Sequence, residues 1–147
     1  KTVIKSNSNR DKILNSNIKK IMNNNLKNKK ITFLGVTFKA GTDDMRESSS
    51  LKIIPKLIKK GSLIKYYEPT GYKDEFSKLK NIKYCTDIKE ACKYSDLLII
   101  HTEWNEFKQL NFKSLVKKNN FKIYDMRNLY SPDAMKKKNI NYFCVGR

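Results

Sequence analysis

Apolar residues recur at steps of three and four along the first part of the chain, at Ile13, Leu14, Ile18, Ile21, Met22 and Leu26. This spacing predicts an amphipathic helix over about 9 to 27, with lysine and asparagine on its polar face. The pattern then changes to short contiguous apolar runs, the mark of strands buried on both faces. They fall at Ile31 to Val36, Leu63 to Tyr67, Ile82 to Cys85, Leu97 to Ile100, Lys122 to Tyr124 and Tyr142 to Val145. Helical stripes separate them. Leu51, Ile54, Leu57 and Ile58 form one stripe, with capping hydroxyls expected from Ser48-Ser49-Ser50 and a stop at Gly61. Pro55 lies inside that helix, where it is expected to cost a hydrogen bond and bend the axis. Further helices are predicted near Lys73 to Leu79, from a cap at Asp87 to about Tyr94, around Phe112 to Lys117, and from Ser131-Pro132-Asp133 onward. Strands alternating with helices define an α/β domain, doubly wound on a mostly parallel sheet, with an N-terminal connecting helix.

Three polar clusters follow three of these strands. They are Phe38-Lys39 to Arg46, Thr102-Glu103-Trp104-Asn105-Glu106-Phe107, and Asp125-Met126-Arg127-Asn128. In a parallel sheet the carboxyl ends of the strands share one edge, where ligands collect. Lys39 and Arg127 offer donors to a pyrophosphate there, and Phe38 or Trp104 an apolar wall. The bland readings are turn and cap roles for Asp43, Asp44 and Ser48, a core role for Trp104, and an Arg127–Asp125 scaffold pair. Convergence of three clusters on one edge favours a ligand. The turn after the first strand, Thr37-Phe38-Lys39-Ala40-Gly41, has no G-x-G-x-x-G. Close backbone approach to a dinucleotide is therefore not expected, although Glu68 mimics the ribose-binding acid of such sites.

A length of 147 residues suits one globular domain. The net charge of +18 raises the possibility of nucleic acid. The kind of cation argues against it: only Arg10, Arg46, Arg127 and Arg147 are arginines, leaving 28 of the 32 cations as lysine. Guanidinium forks dominate base reading and bidentate phosphate contacts. Lysines such as Lys118, in a Lys-Lys-Asn-Asn stretch, read as solvated surface. A basic polyanion-binding module is the alternative reading, with steep salt dependence as its sign. Three cysteines without a C-x-x-C pair point to reduced thiols, not a metal site or disulfides. The single histidine, His101, reads as a strand-end residue. No run of about 18 apolar residues spans a bilayer, and Lys1-Thr2-Val3-Ile4-Lys5 begins no secretory signal. A soluble, cytoplasmic protein is expected.

Gly35 to Ser48, Tyr67-Glu68-Pro69, Thr102 to Phe107, Asp125 to Asn128 and the terminal Gly146-Arg147 occur in an ordered set. Together they resemble the C-terminal, UDP-binding domain of the UDP-glucose/GDP-mannose dehydrogenase family, and most resemble its UDP-glucose branch. The resemblance covers residues 29 to 147, and residues 1 to 28 are similar to the helix joining the family's two domains. It implies a Rossmann-like fold and a two-step, NAD-dependent oxidation of UDP-glucose to UDP-glucuronate by a cytoplasmic homo-oligomer, a dimer. It implies that Phe38, Lys39 and Arg127 contact the nucleotide sugar and that Arg46 reaches NAD held by an upstream domain. No catalytic residue is expected within this chain. Met126 departs from the family's small glycine and is expected to narrow the cleft. A GDP-mannose or UDP-N-acetylmannosamine dehydrogenase is the related alternative.

Overall fold

The computed structural model describes residues 2–146, with side chains from residue 9 onward; Lys1 and Arg147 lie outside the described residues. The elements are α1 (Thr2–Ile21), β1 (Lys30–Leu34), α2 (Ser50–Lys59), β2 (Leu63–Tyr67), β3 (Ile82–Tyr84), α3 (Ile88–Cys92), β4 (Leu97–Ile100), α4 (Phe112–Val116), β5 (Lys122–Asp125), α5 (Pro132–Lys137) and β6 (Asn141–Cys144). All six strands are parallel, in the order β3-β2-β1-β4-β5-β6. The order reverses between β1 and β4, so the switch point opens at their carboxyl ends.

Alternation along each strand sends side chains to two cores. Ile31, Phe33, Ile64, Tyr66, Leu97, Ile99 and Tyr124 pack beneath α1 and α2. Leu34, Leu98, Ile100 and Ile123 face Cys92 of α3, Phe112 and Val116 of α4, and Met135 of α5. Burial on both faces is why β4 reads Leu-Leu-Ile-Ile, with no polar position.

Helix α1 buries Leu14, Ile18 and Ile21 in the first core. It runs antiparallel to β5: Lys122 Nζ donates to the Ile21 carbonyl at 2.6 Å, and Asn17 Nδ2 to the Tyr124 hydroxyl at 3.0 Å. The helix stops several residues before the predicted end because Asn23 and Asn24 adopt left-handed φ of 54° and 59°. Asp87, Asn111 and Ser131 cap α3, α4 and α5 as side-chain acceptors.

Three local expectations are corrected. Lys73 to Leu79 forms only a 3-10 turn at Asp74–Phe76, because the segment is pinned at two points. The Lys73 N–H donates to the Tyr66 hydroxyl at 2.9 Å, and the Phe76 ring packs edge-on against Tyr66 at 5.3 Å. The serine cluster does not cap α2: Ser49 precedes that helix in αR conformation without a side-chain cap. Lys118 is no solvated bystander, since its ammonium pairs with Asp96. Helix α2 continues through Pro55 as expected, with no N–H to offer the Leu51 carbonyl.

Cys85 and Cys92 are buried free thiols. Burial pushes the Cys92 thiol up to about 12. Among the described residues, no helix is long and apolar enough to cross a membrane, and no group of three or more His, Cys, Asp or Glu side chains gathers as a metal site.

Candidate nucleotide site at the switch point

The chain leaves β1 through Gly35, where φ is +79°. A Cβ there would lie 2.6 Å from the Thr102 Cβ, so both the backbone conformation and the space demand glycine. This close approach brings the loop after β1 against the loop after β4. The next two amides, of Val36 and Thr37, donate to Glu68 Oε1 at 2.8 and 3.3 Å. The other carboxylate oxygen accepts from the Thr70 N–H and hydroxyl at 3.1 and 2.8 Å. Glu68 is only 1% exposed. In a dinucleotide domain the first strand–helix turn gives its amides to a pyrophosphate. Here an internal carboxylate takes them, so Glu68 is a bracket for the turn and no ribose ligand.

The loop from Thr37 to Ser50 is held at several further points. Ser48 and Ser50 hydroxyls both donate to the Val36 carbonyl, at 2.6 and 2.7 Å. The Phe38 N–H closes the loop on the Asp44 carbonyl at 2.9 Å. The Thr102 hydroxyl donates to the Thr37 carbonyl at 3.1 Å, which spends its only hydrogen and leaves it to accept from His101 Nδ1 at 3.0 Å. The proton of the neutral ring therefore sits on Nδ1. Nε2 accepts from the Ser49 hydroxyl at 2.9 Å. Burial, then the Arg127 and Arg10 charges, push the His101 imidazole down to about 3. His101 is thus a neutral strut between two loops.

Arg127 is placed by the same strand end. Asp125, fully buried, accepts from the backbone N–H of Arg127 and Tyr130 at 3.0 Å each and from the Tyr142 hydroxyl at 2.6 Å. The expected scaffold pair therefore runs through the backbone of Arg127 and leaves its guanidinium for other partners. That group donates from Nε to the His101 carbonyl at 2.8 Å and from Nη2 to the Phe38 carbonyl at 3.1 Å, with Glu103 Oε1 at 4.0 Å. Burial lowers the Arg127 guanidinium below its ordinary value, Glu103 opposing and Arg10 adding to the effect. Two bonds occupy two of its five N–H groups. Met126 is buried in the α1/α2 core, so its bulk does not narrow the edge.

The structure brings Phe38 and Arg127 into direct contact, with Lys39 next in the chain and exposed. Phe38 is 41% exposed, an apolar residue at a polar edge. Arg46 lies further out, exposed and paired with Asp44 at 3.1 and 3.2 Å. Its hydrogen bonds hold the Asp44 carboxyl below the usual range. Trp104 packs against the second core, and its indole N–H and Glu103 Oε1 are buried with no hydrogen-bond partner among the described residues. Two concavities lie away from this edge: a cleft of about 640 Å³ lined by Leu110, Phe112 and Met135, and a lysine-rimmed groove of about 480 Å³ between α1 and α2. The Ser49–His101 pair escaped the sequence, since 52 residues separate its members. The bracket role of Glu68 had only the missing glycines of the β1 turn to signal it.

These features define a Rossmann-like α/β domain in which the usual phosphate-binding turn is closed from within and cations gather at the neighbouring strand ends. Residues 32–132 match the UDP binding domain of the UDP-glucose/GDP-mannose dehydrogenase family, and the chain belongs to that family. It is 40% identical over 149 residues to the UDP-glucose 6-dehydrogenase of Rickettsia felis, covering 99% of this chain and 33% of that one. The enzyme of the same name from Rhizobium meliloti is 32% identical, over 99% of this chain and 34% of its own length. The structure of a UDP-glucose dehydrogenase from the archaeon Pyrobaculum islandicum superposes with a TM-score of 0.75 at 20% identity, covering 96% of this chain and 30% of that one, a likeness of fold. The chain thus spans about a third of the length of the relatives it matches.

Proposed function

We propose that this chain is the nucleotide-sugar-binding, C-terminal domain of an NAD-dependent UDP-glucose 6-dehydrogenase, a cytoplasmic and homo-oligomeric (dimeric) enzyme that oxidises UDP-glucose to UDP-glucuronate in two steps. Residues 1–28 form the helical connector and residues 29–147 the binding domain. The observation that carries the reading is the hydrogen bond of the partly buried Arg127 guanidinium to the carbonyl of exposed Phe38 at the switch point, one residue before exposed Lys39. Phe38 stacks on the ligand, and Lys39 and Arg127 donate to its phosphates. The β1 turn does not fit NAD, because Glu68 already occupies its amides. The dinucleotide is held elsewhere in the enzyme, with Arg46 reaching it from the rim of this domain.

The test is calorimetric titration of the chain with UDP and with GDP, UDP being the tighter ligand. A charge-assisted contact is worth about 1.5 to 3 kcal/mol, so Lys39→Ala or Arg127→Ala weakens UDP binding by roughly ten- to a hundredfold. Lys39 is exposed, so its variant folds normally. Equal affinity for UDP and GDP, or no loss on Lys39→Ala, counts against the reading.

A further inference from the structure

Arg10 stands on α1, far in sequence from the three loops of the site. Asn17 bonds the Tyr124 hydroxyl and Ile21 accepts from Lys122, which sets the helix antiparallel to β5. Arg10 precedes Asn17 by seven residues, nearly two full turns, and so projects from the same flank of the helix. Those seven residues rise about 10 Å toward the carboxyl edge, past Asp125 at the end of β5 and to the level of the turn over Met126 and Arg127 that follows it. Arg10 therefore comes level with Arg127 at the carboxyl edge. Leu14, one turn later, is buried in the core that also holds Met126, which anchors this part of the helix to the end of β5. The Arg10 side chain itself is exposed.

We propose that Arg10 is a further ligand-binding residue, closing with Arg127 on the diphosphate of the nucleotide sugar from the α1 side. The proposal rests on the functional reading given above. Two like charges on one edge repel, and an anion between them relieves the repulsion. The field of Arg10 is felt at both His101 and Arg127, secondary in each case to burial. Residue type points the same way. The three arginines among the described residues, Arg10, Arg46 and Arg127, all stand at this edge, although lysine supplies nearly all the cations of the chain. A planar fork matches phosphate oxygens in a way that an ammonium does not.

The experiment titrates the 147-residue chain with UDP and with inorganic pyrophosphate, following heat and the fluorescence of its single tryptophan, Trp104. Arg10→Gln is expected to weaken both ligands about tenfold. Lys12→Gln, exposed on the opposite flank of α1, is expected to change them less than twofold. If Arg10→Gln stays within twofold of the unsubstituted chain while Lys39→Ala loses tenfold or more, Arg10 is no ligand and the functional reading stands. Equal losses from Arg10→Gln and Lys12→Gln that vanish at high salt overturn the inference in favour of the general positive field. Absence of saturable UDP binding by the unsubstituted chain removes the functional reading, and this inference with it.

Discussion

His101 shows how one buried side chain couples the site to folding. Its folded-state pKa of about 3 lies well below the ordinary value of 6.5, so the unfolded chain binds a proton that the folded chain refuses. Stability therefore rises with pH through this window, is fully present above about 6.5, and is lost as the pH falls toward 3. The slope for one such group approaches about 1.4 kcal/mol per pH unit. Urea midpoints measured between pH 4.5 and 6.5, above the ordinary range of the carboxylates, should fall with acidity. His101→Gln keeps a polar side chain without the titration and should flatten that dependence; an unchanged slope assigns the acid sensitivity to another group. The lone histidine carried no sign of this in the sequence, because its partners Ser49 and Arg127 arrive from other elements.

At the scale of elements, α1 is part of the domain's packing, whatever it connects. Ile18 is fully buried against the strands of the first core. Truncating it to alanine removes the apolar contact and leaves a cavity, at a cost of about 2 to 5 kcal/mol. Ile18→Ala should lower the denaturant midpoint of a single cooperative transition, measured by circular dichroism. A negligible shift would mean that the helix does not share the core. The heptad-like stripe that revealed α1 was plain in the sequence, since Leu14, Ile18 and Ile21 must all face one way. Its end was not, because left-handed asparagines at 23 and 24 depend on the turn into β1. The serine run misled for a related reason: hydroxyls of Ser48 and Ser50 can cap a helix or bond a loop carbonyl, and only the position of Val36 decides between them.

For the whole molecule, the expected outcome with NAD and UDP-glucose is that the 147-residue chain alone forms no reduced nicotinamide. The turn after β1 is closed by Glu68, and no glycine fingerprint occurs elsewhere in the chain. The Cys85 and Cys92 thiols are buried and pushed upward by that burial, which disfavours the nucleophilic thiolate. Absorbance of the reduced cofactor is the readout. Measurable turnover by the purified chain would show that it holds chemistry as well as binding groups.

The sequence by itself determined the α/β alternation, the parallel sheet and the gathering of Phe38, Lys39 and Arg127 at one edge. Buried strands must be apolar throughout, and right-handed crossovers bring their carboxyl ends to the same side. Tertiary structure alone decided what each polar group does there. Glu68 seals the β1 turn, Asp125 grips the backbone of Arg127, Met126 turns into the core, and Arg10 arrives from a helix over a hundred residues away in sequence. Hydrogen bonds and fields act over a few ångströms, and the distances that matter at this edge are set by the packing of α1, β1, β4 and β5, which no local pattern of residues records.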